Sequence, residues 1–204
     1  MYILNYMWYN NQQVGDEMDL IINDENLQIN EIQEFCSKAR ALLIDDKNQI
    51  LVANYGGVLL LPGGSIDKDE TISHALIREL DEEIGQKYTE DELSYLACLN
   101  YFQANYPKRN GTFQNRLVQT HYFVGNFKGV SNEFQTLTAK EIKDNFQLEL
   151  VSLDKLKKII LENENNNPRN IYFQNELLTI LKFWNDNFNS IEQNDSKVKK
   201  LEKK

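Results

Sequence analysis

The chain has 204 residues, 41% hydrophobic and 26% charged, with a net charge of −9. That length and balance suit one globular domain with a sizeable core plus extensions. The acidic excess argues against a general nucleic-acid-binding surface, which needs clustered basic residues to meet phosphates.

Residues 1–34 read as an N-terminal extension. Tyr2, Tyr6, Trp8 and Tyr9 cluster before an acidic, Asn-rich stretch, and the segment is expected to pack on the domain or on a partner subunit. The main domain is expected over 35–188. Residues 39–45 read as a strand, 46–48 as a turn and 49–55 as the hairpin partner. The apolar run 57–64 ends in Pro62, Gly63 and Gly64, a strand end followed by a tight loop. Residues 71–84 are predicted as a helix, with Thr71 as N-cap and Gly85 as the C-terminal stop. Strands follow at 93–106 and 116–127, joined by a polar, basic loop carrying Lys108, Arg109 and Gly111. A loop over 128–146 leads to a strand at 148–153 and helices at 154–163 and 169–187, the second apolar at helical spacing. A charged, flexible tail is expected over 189–204.

Cys36 and Cys98 are far apart and lack metal-type spacing. Of the two readings open to them, a single disulfide or two isolated thiols in a reducing, cytoplasmic setting, the second is preferred. The N-terminus does not have the basic-then-apolar layout of a signal peptide. No run approaches the roughly 18 apolar residues of a membrane span, so no membrane association is expected.

The helix carries an unusual charge pattern. Glu70 precedes it, and Glu79, Glu82 and Glu83 lie on it beside Arg78. At about 100° per residue, with Glu79 at zero, Glu83 falls near 40° and Glu82 near 300°, so the three share a face roughly 100° wide. Leu76, Leu80, Ile84 and Ile77 occupy an adjacent apolar face, while His74, Arg78 and Asp81 project toward solvent. Ala75 leaves room on the acidic side. Like charges at these spacings repel unless a cation offsets them. A divalent metal held by few protein ligands in turn points to phosphate chemistry.

This segment, Gly64 through Gly85, resembles the Nudix box, Gly-x5-Glu-x7-Arg-Glu-U-x-Glu-Glu-x-Gly-U, where U is a bulky aliphatic residue. Leu80 fills the first U, and the one departure is Gln86 at the last, a packing position. The preceding Leu-Pro-Gly-Gly and the late strand-helix element at 148–156 extend the resemblance over roughly 36–165. It implies an α/β (α+β) fold, an α-β-α sandwich with a mixed central sheet. It also implies hydrolysis of a nucleoside diphosphate linked to another moiety, such as a nucleoside triphosphate, nucleotide sugar or dinucleotide, with Mg²⁺ or Mn²⁺. By match, Glu82 and Glu83 are metal ligands, Glu79 is a ligand or orients water, and the Gly63 or Gly64 carbonyl adds a backbone oxygen. Glu70 braces the loop, and Arg78 fixes a box glutamate. The family often recruits a further glutamate after the box; Glu133, Glu141 and Glu149 are candidates, and Glu141 is preferred. Arg40, Lys38, Arg109 and Arg116 are placed to meet substrate phosphates, and Tyr55, Phe102 or Tyr106 to stack on a base. His74 is a solvent-face residue and His121 a structural one. The partner implied is a small nucleotide or diphosphate, and a homodimer is compatible with the family and with the aromatic N-terminal segment. Three rival readings keep the fold: an isopentenyl diphosphate isomerase-like enzyme, disfavoured by the chain's two histidines; a non-catalytic nucleotide-sensing domain fused to a DNA-binding module, disfavoured because the residues after the domain are too few for a winged helix and lack basic surface until the tail; and a structural interaction domain, disfavoured by the full set of charged box residues.

Overall fold

The computed structural model describes residues 19–108, 110–131, 135–163 and 169–189. Tyr2, Tyr6, Trp8, Tyr9, Arg109, Glu133 and the tail beyond 189 lie outside the described residues. Among those described, eight strands form one mixed sheet. They are β1 Asp19–Ile22, β2 Glu34–Ile44, β3 Gln49–Tyr55, β4 Val58–Leu60, β5 Gly63–Ser65, β6 Leu93–Pro107, β7 Phe113–Asn126 and β8 Gln147–Ser152. Helices are α1 Ile72–Ile84, α2 Ala139–Lys143, α3 Leu153–Glu162 and α4 Asn170–Trp184. The sheet runs β1-β6-β7-β2-β3-β4, with β5 also paired to β2 and β8 to β3. The β1–β6 and β2–β7 pairs are parallel.

Alternation along β2 builds the two layers around the sheet. Leu42 faces α3 and α4, packing with Ile50, Val52, Leu99 and Tyr122 against Leu156, Ile160, Leu177 and Leu181. Ala39, Ala41 and Leu43 face the other way, toward Leu76, Leu80 and Ile84 of α1. The expected α-β-α sandwich is therefore present.

The box helix forms where its caps place it. The Thr71 side chain accepts from the His74 amide, and Gly85 closes the helix in the left-handed region at φ 69°. Gln86 is only half-buried; the apolar contact after the helix comes from Tyr88, which packs with the α1 face and donates its hydroxyl to the Asn126 carbonyl. Besides β5, where Gly63–Ser65 pair with β2 in place of the expected tight loop, two elements depart from the sequence reading. Residues 19–22 add a parallel strand to the edge of the sheet, pairing Asp19 with Cys98 through Ile22 with Tyr101. Residues 139–143 form a short helix inside the expected loop. Both segments are too short for periodicity to reveal.

His121 sits on β7 with 2% exposure, its Nδ1 3.2 Å from the Tyr95 hydroxyl and its Nε2 buried without a hydrogen-bond partner. Burial disfavours the charged ring and lowers its pKa to about 4. The unfolded chain takes up this proton near pH 6.5, whereas the folded chain does so only near pH 4. Stability is therefore fully present above pH 6.5 and falls as pH drops toward 4, by about 3 kcal/mol from this group. Urea unfolding at pH 7.5, 6, 5 and 4 checks this, and His121→Gln is expected to flatten the slope.

Candidate active site

The sheet splits beside β2. Its last residue pairs with β3 at Ile44 and Ile50, whereas its middle, from Lys38 to Arg40, pairs with β5 from Ser65 to Gly63. The Leu61–Gly64 loop enters this gap. Ala41 donates its amide to the Pro62 carbonyl at 2.9 Å. Gly63 has φ 125°, and a Cβ there would run into the Ala39 carbonyl and the Arg40 backbone. Only glycine allows that close approach.

The box glutamates meet this loop from α1. Glu83 has 2% exposure; its Oε2 accepts from the Gly63 amide at 2.9 Å, and its Oε1 accepts from the Tyr55 hydroxyl. Burial raises its pKa to about 7, against the pull of those two donors. Glu79 is half-buried, lies against Gly64 and accepts from Arg78 Nη1 at 2.9 Å. Burial pushes its pKa up and Arg78 opposes the shift. Glu82 is the more open of the three, with its side chain 37% exposed and its Oε1 3.7 Å from Arg78 Nη1.

Arg78 does more than its helical angle suggested, because a long side chain reaches around the turn. Its Nε and Nη2 each donate to Glu70 at 3.0 Å, and Nη2 also donates to the Ser65 carbonyl at 3.1 Å. These bonds hold the Glu70 carboxyl below the usual carboxylate range. One guanidinium thus ties the loop, Glu70 and Glu79 together.

Among the described residues, no three carboxylate, histidine or cysteine groups converge closely enough to enclose an ion. The donors instead form an open arc of carboxylates from Glu79, Glu82 and Glu83 beside the Leu61–Gly64 loop. That set is all oxygen, its burial raises the proton affinity of two carboxylates, and the absent Cβ of Gly64 leaves space that a side chain would fill at Glu79. These features fit a hard divalent cation that keeps waters and takes part of its shell from substrate.

The segment after β7 crosses the end of α1. Ser131 and Thr136 donate amides to the Ile84 and Glu82 carbonyls at 2.9 Å, and Gln135 donates to the Glu83 carbonyl at 2.5 Å. They satisfy helix-end acceptors that would otherwise lack partners. Glu141 lies further along this segment and accepts from the Thr138 amide at 2.7 Å. The same segment packs Phe146 edge-on to Tyr55 with ring centroids 5.0 Å apart. Glu149 sits on β8 and pairs with Lys155 at 3.5 Å, with both side chains more than half exposed.

Two expected substrate contacts have different surroundings. Arg40 has 5% exposure, and its Nη1 donates to the Leu61 carbonyl at 2.5 Å and the Gly63 carbonyl at 3.1 Å. It holds the loop from within. Tyr55 gives its hydroxyl to Glu83, and burial followed by that carboxylate pushes its pKa well up. Its ring lies against Phe146. Tyr106, the other stacking candidate, has 7% exposure and is covered by the Arg116 guanidinium 3.2 Å above its ring and by Tyr172 at 5.2 Å.

Arg116 has 8% exposure and donates Nε to Gln103 at 2.5 Å. It borders a cleft of about 380 Å³ with Glu34, Tyr106, Lys108, Gln114 and Arg169. Lys38 lies between this cleft and the loop on β2, its Nζ 5.9 Å from the Phe173 ring. The sequence reading missed Arg169 and Glu176. Glu176 had a visible signal: it lies four residues before Ile180, a charged residue on the buried side of α4 beside Leu177, Leu181 and Trp184.

The chain is similar to several solved structures. These include the MutT protein from Methanosarcina mazei Go1, at 18% identity and TM-score 0.49, covering 76% of this chain and 96% of that one. A NUDIX hydrolase from Nitrosomonas europaea aligns at 16% identity and TM-score 0.48, covering 72% and 90%. A bifunctional NMN adenylyltransferase/ADP ribose pyrophosphatase from Francisella tularensis aligns at 23% identity and TM-score 0.48, covering 74% of this chain and 41% of that one. No curated relative matches. The family model described as NUDIX domain matches residues 35–174, more than half of the sequence, and the chain belongs to the Nudix hydrolase family.

Proposed function

We propose that this protein is a divalent-metal-dependent hydrolase that splits the phosphoanhydride bond of a nucleoside diphosphate linked to another moiety, working in the cytoplasm. Nudix hydrolases generally use divalent metals and act on small nucleotide-derived substrates. Among the described residues, no helix is long and apolar enough to cross a membrane. The observation that carries the reading is the junction of box and loop: Glu83 on the Gly63 amide and Glu79 against Gly64.

In this proposal Glu82, Glu83, Glu79 and the Gly64 carbonyl would hold Mg²⁺ or Mn²⁺. When bound, the ion offsets phosphate charge and lowers the pKa of a coordinated water. Tyr55 and the Gly63 amide fix both oxygens of Glu83, and Arg78 fixes Glu79. Water attacks phosphorus, the bridging P–O bond breaks toward the leaving phosphate, and Glu141 accepts the proton of the attacking water. The packing of Phe146 on Tyr55 supports Glu141, because it places this segment beside Glu83's partner. Arg116, on β7 at the edge of the cleft, takes an anionic part of the substrate, and Arg109 is proposed from the sequence to assist it.

The test is a panel of nucleoside triphosphates, nucleotide sugars and dinucleotides, assayed by chromatography for the two phosphorylated products of anhydride cleavage with Mg²⁺, Mn²⁺ or EDTA. Metal-dependent cleavage of at least one class is expected, and no cleavage of any would sink the reading. On the substrate found, Lys108→Ala is expected to raise KM about threefold to tenfold with kcat little changed, because the cleft loses an exposed cation that binds ground and transition states alike. Steady-state kinetics at two ionic strengths checks this, the difference shrinking at high salt.

A further inference from the structure

Arg40 and Glu176 are both buried charges, with 5% and 3% exposure. Glu176 Oε1 lies 3.8 Å from Arg40 Nε. That nitrogen has no hydrogen-bond partner, so the contact is electrostatic and long. Glu176 is itself held by the Tyr122 hydroxyl at 2.6 Å and the Thr120 hydroxyl at 3.3 Å. A buried charge that loses its partner is strongly unfavourable, so the position of each of these groups constrains the other. On its other side, Arg40 bridges the Leu61 and Gly63 carbonyls through Nη1. Gly63 therefore carries two bonds of opposite sense: its carbonyl accepts from Arg40, and its amide donates to Glu83.

We propose that Glu176 is a positioning residue for the box carboxylates, acting across the sheet through Arg40 and Gly63 to fix the orientation of Glu83. It touches no reacting atom. Its charge holds the guanidinium at the depth where Nη1 reaches both carbonyls, and the loop held in this way aims the Gly63 amide at Glu83. Helix α4 is thereby coupled to helix α1 through the middle of the sheet. The consequence for catalysis rests on the proposed function, whereas the coupling itself does not.

The experiment is amide hydrogen exchange by NMR on the full chain, paired with Mn²⁺ binding by EPR. Glu176→Gln keeps the side chain's shape and an acceptor for Tyr122 but removes the charge. The Gly63 amide is expected to exchange at least tenfold faster than in the wild type, while Leu99 and Thr120 in the sheet remain protected. The Mn²⁺ dissociation constant is expected to rise at least fivefold, with kcat falling and nucleotide KM nearly constant. Arg40→Lys keeps a positive charge on a shorter side chain whose ammonium is expected to fall short of the two carbonyls that Nη1 reaches, and it is expected to give the same Gly63 signature; it decides the matter if Glu176→Gln does not fold. Tyr122→Phe removes a bond to Glu176 without removing the charge, and Gly63 is expected to stay protected. Gly63 exchange within twofold of wild type in the charge variant overturns the proposal, and so does equal loosening in Tyr122→Phe. A wild-type chain that neither binds Mn²⁺ nor cleaves any nucleotide overturns the proposed function instead, and Gly63 exchange still decides the coupling.

Discussion

Glu83→Gln is expected to lower kcat by about 10²- to 10³-fold, the loss typical of removing one preorganised electrostatic group from an active site. The substitution is nearly isosteric. A glutamine oxygen still accepts from the Gly63 amide, and its nitrogen can turn toward the Tyr55 oxygen, so both present contacts have replacements. The fold should survive, and the unfolding midpoint is expected to hold or rise slightly, because a buried carboxylate is replaced by a neutral group. What disappears is the negative charge beside the loop, so the Mn²⁺ dissociation constant should rise along with the loss of turnover. Glu70→Gln supplies the contrast. Glu70 touches Arg78 and the Asp67 amide, so its loss reaches the site only by loosening the Arg78 clamp. Its effect on kcat is expected to stay within about tenfold, since it removes one hydrogen-bonded charge pair outside the metal arc. Titrating activity against Mg²⁺ for both variants distinguishes the two roles. A Glu83→Gln enzyme retaining kcat within threefold of wild type would remove Glu83 from the proposed metal set.

The box helix was legible because several independent local signals agreed. Thr71 and Gly85 marked its ends, the Leu76–Leu80–Ile84 stripe marked its buried side, and the glutamates marked the side between core and solvent. Each of these depends on neighbours within one or two turns, which periodicity captures. The roles of Arg40 and Tyr55 were not legible, because they depend on which strand lies opposite. Arg40 is spent on the loop only because β5 pairs with β2 at Gly63, a contact between residues 23 apart. Tyr55 reaches Glu83 only because the end of β3 lies beside α1, 28 residues on. The strand at 19–22 was hidden for a related reason. It pairs with β6 some 79 positions away, and four residues carry too little pattern to announce an edge strand.

The two adjacent glycines of the loop should fail in different ways when each becomes alanine. At Gly64 a new Cβ would meet only the carboxyl end of Glu79, a flexible side chain that can swing aside, and the backbone there needs no positive φ. Gly64→Ala should therefore fold with a melting temperature within a few degrees of wild type, the shift expected for a change well under about 1 kcal/mol. Its activity should fall by about 10²-fold, because Glu79 is pushed out of the arc and off the Arg78 bond. At Gly63 the Cβ would strike the Ala39 carbonyl and the Arg40 backbone, which the parallel β2–β7 pairing holds in place, and φ of 125° is itself costly for alanine. Gly63→Ala should lose about 2–4 kcal/mol of stability, adding backbone strain to the β2–β5 contacts it breaks. Thermal melts and metal-saturated kinetics on the pair separate the outcomes. If Gly64→Ala kept full turnover, the carboxyl of Glu79 would not need the place it occupies, and the site would have to be built on Glu82 and Glu83 alone.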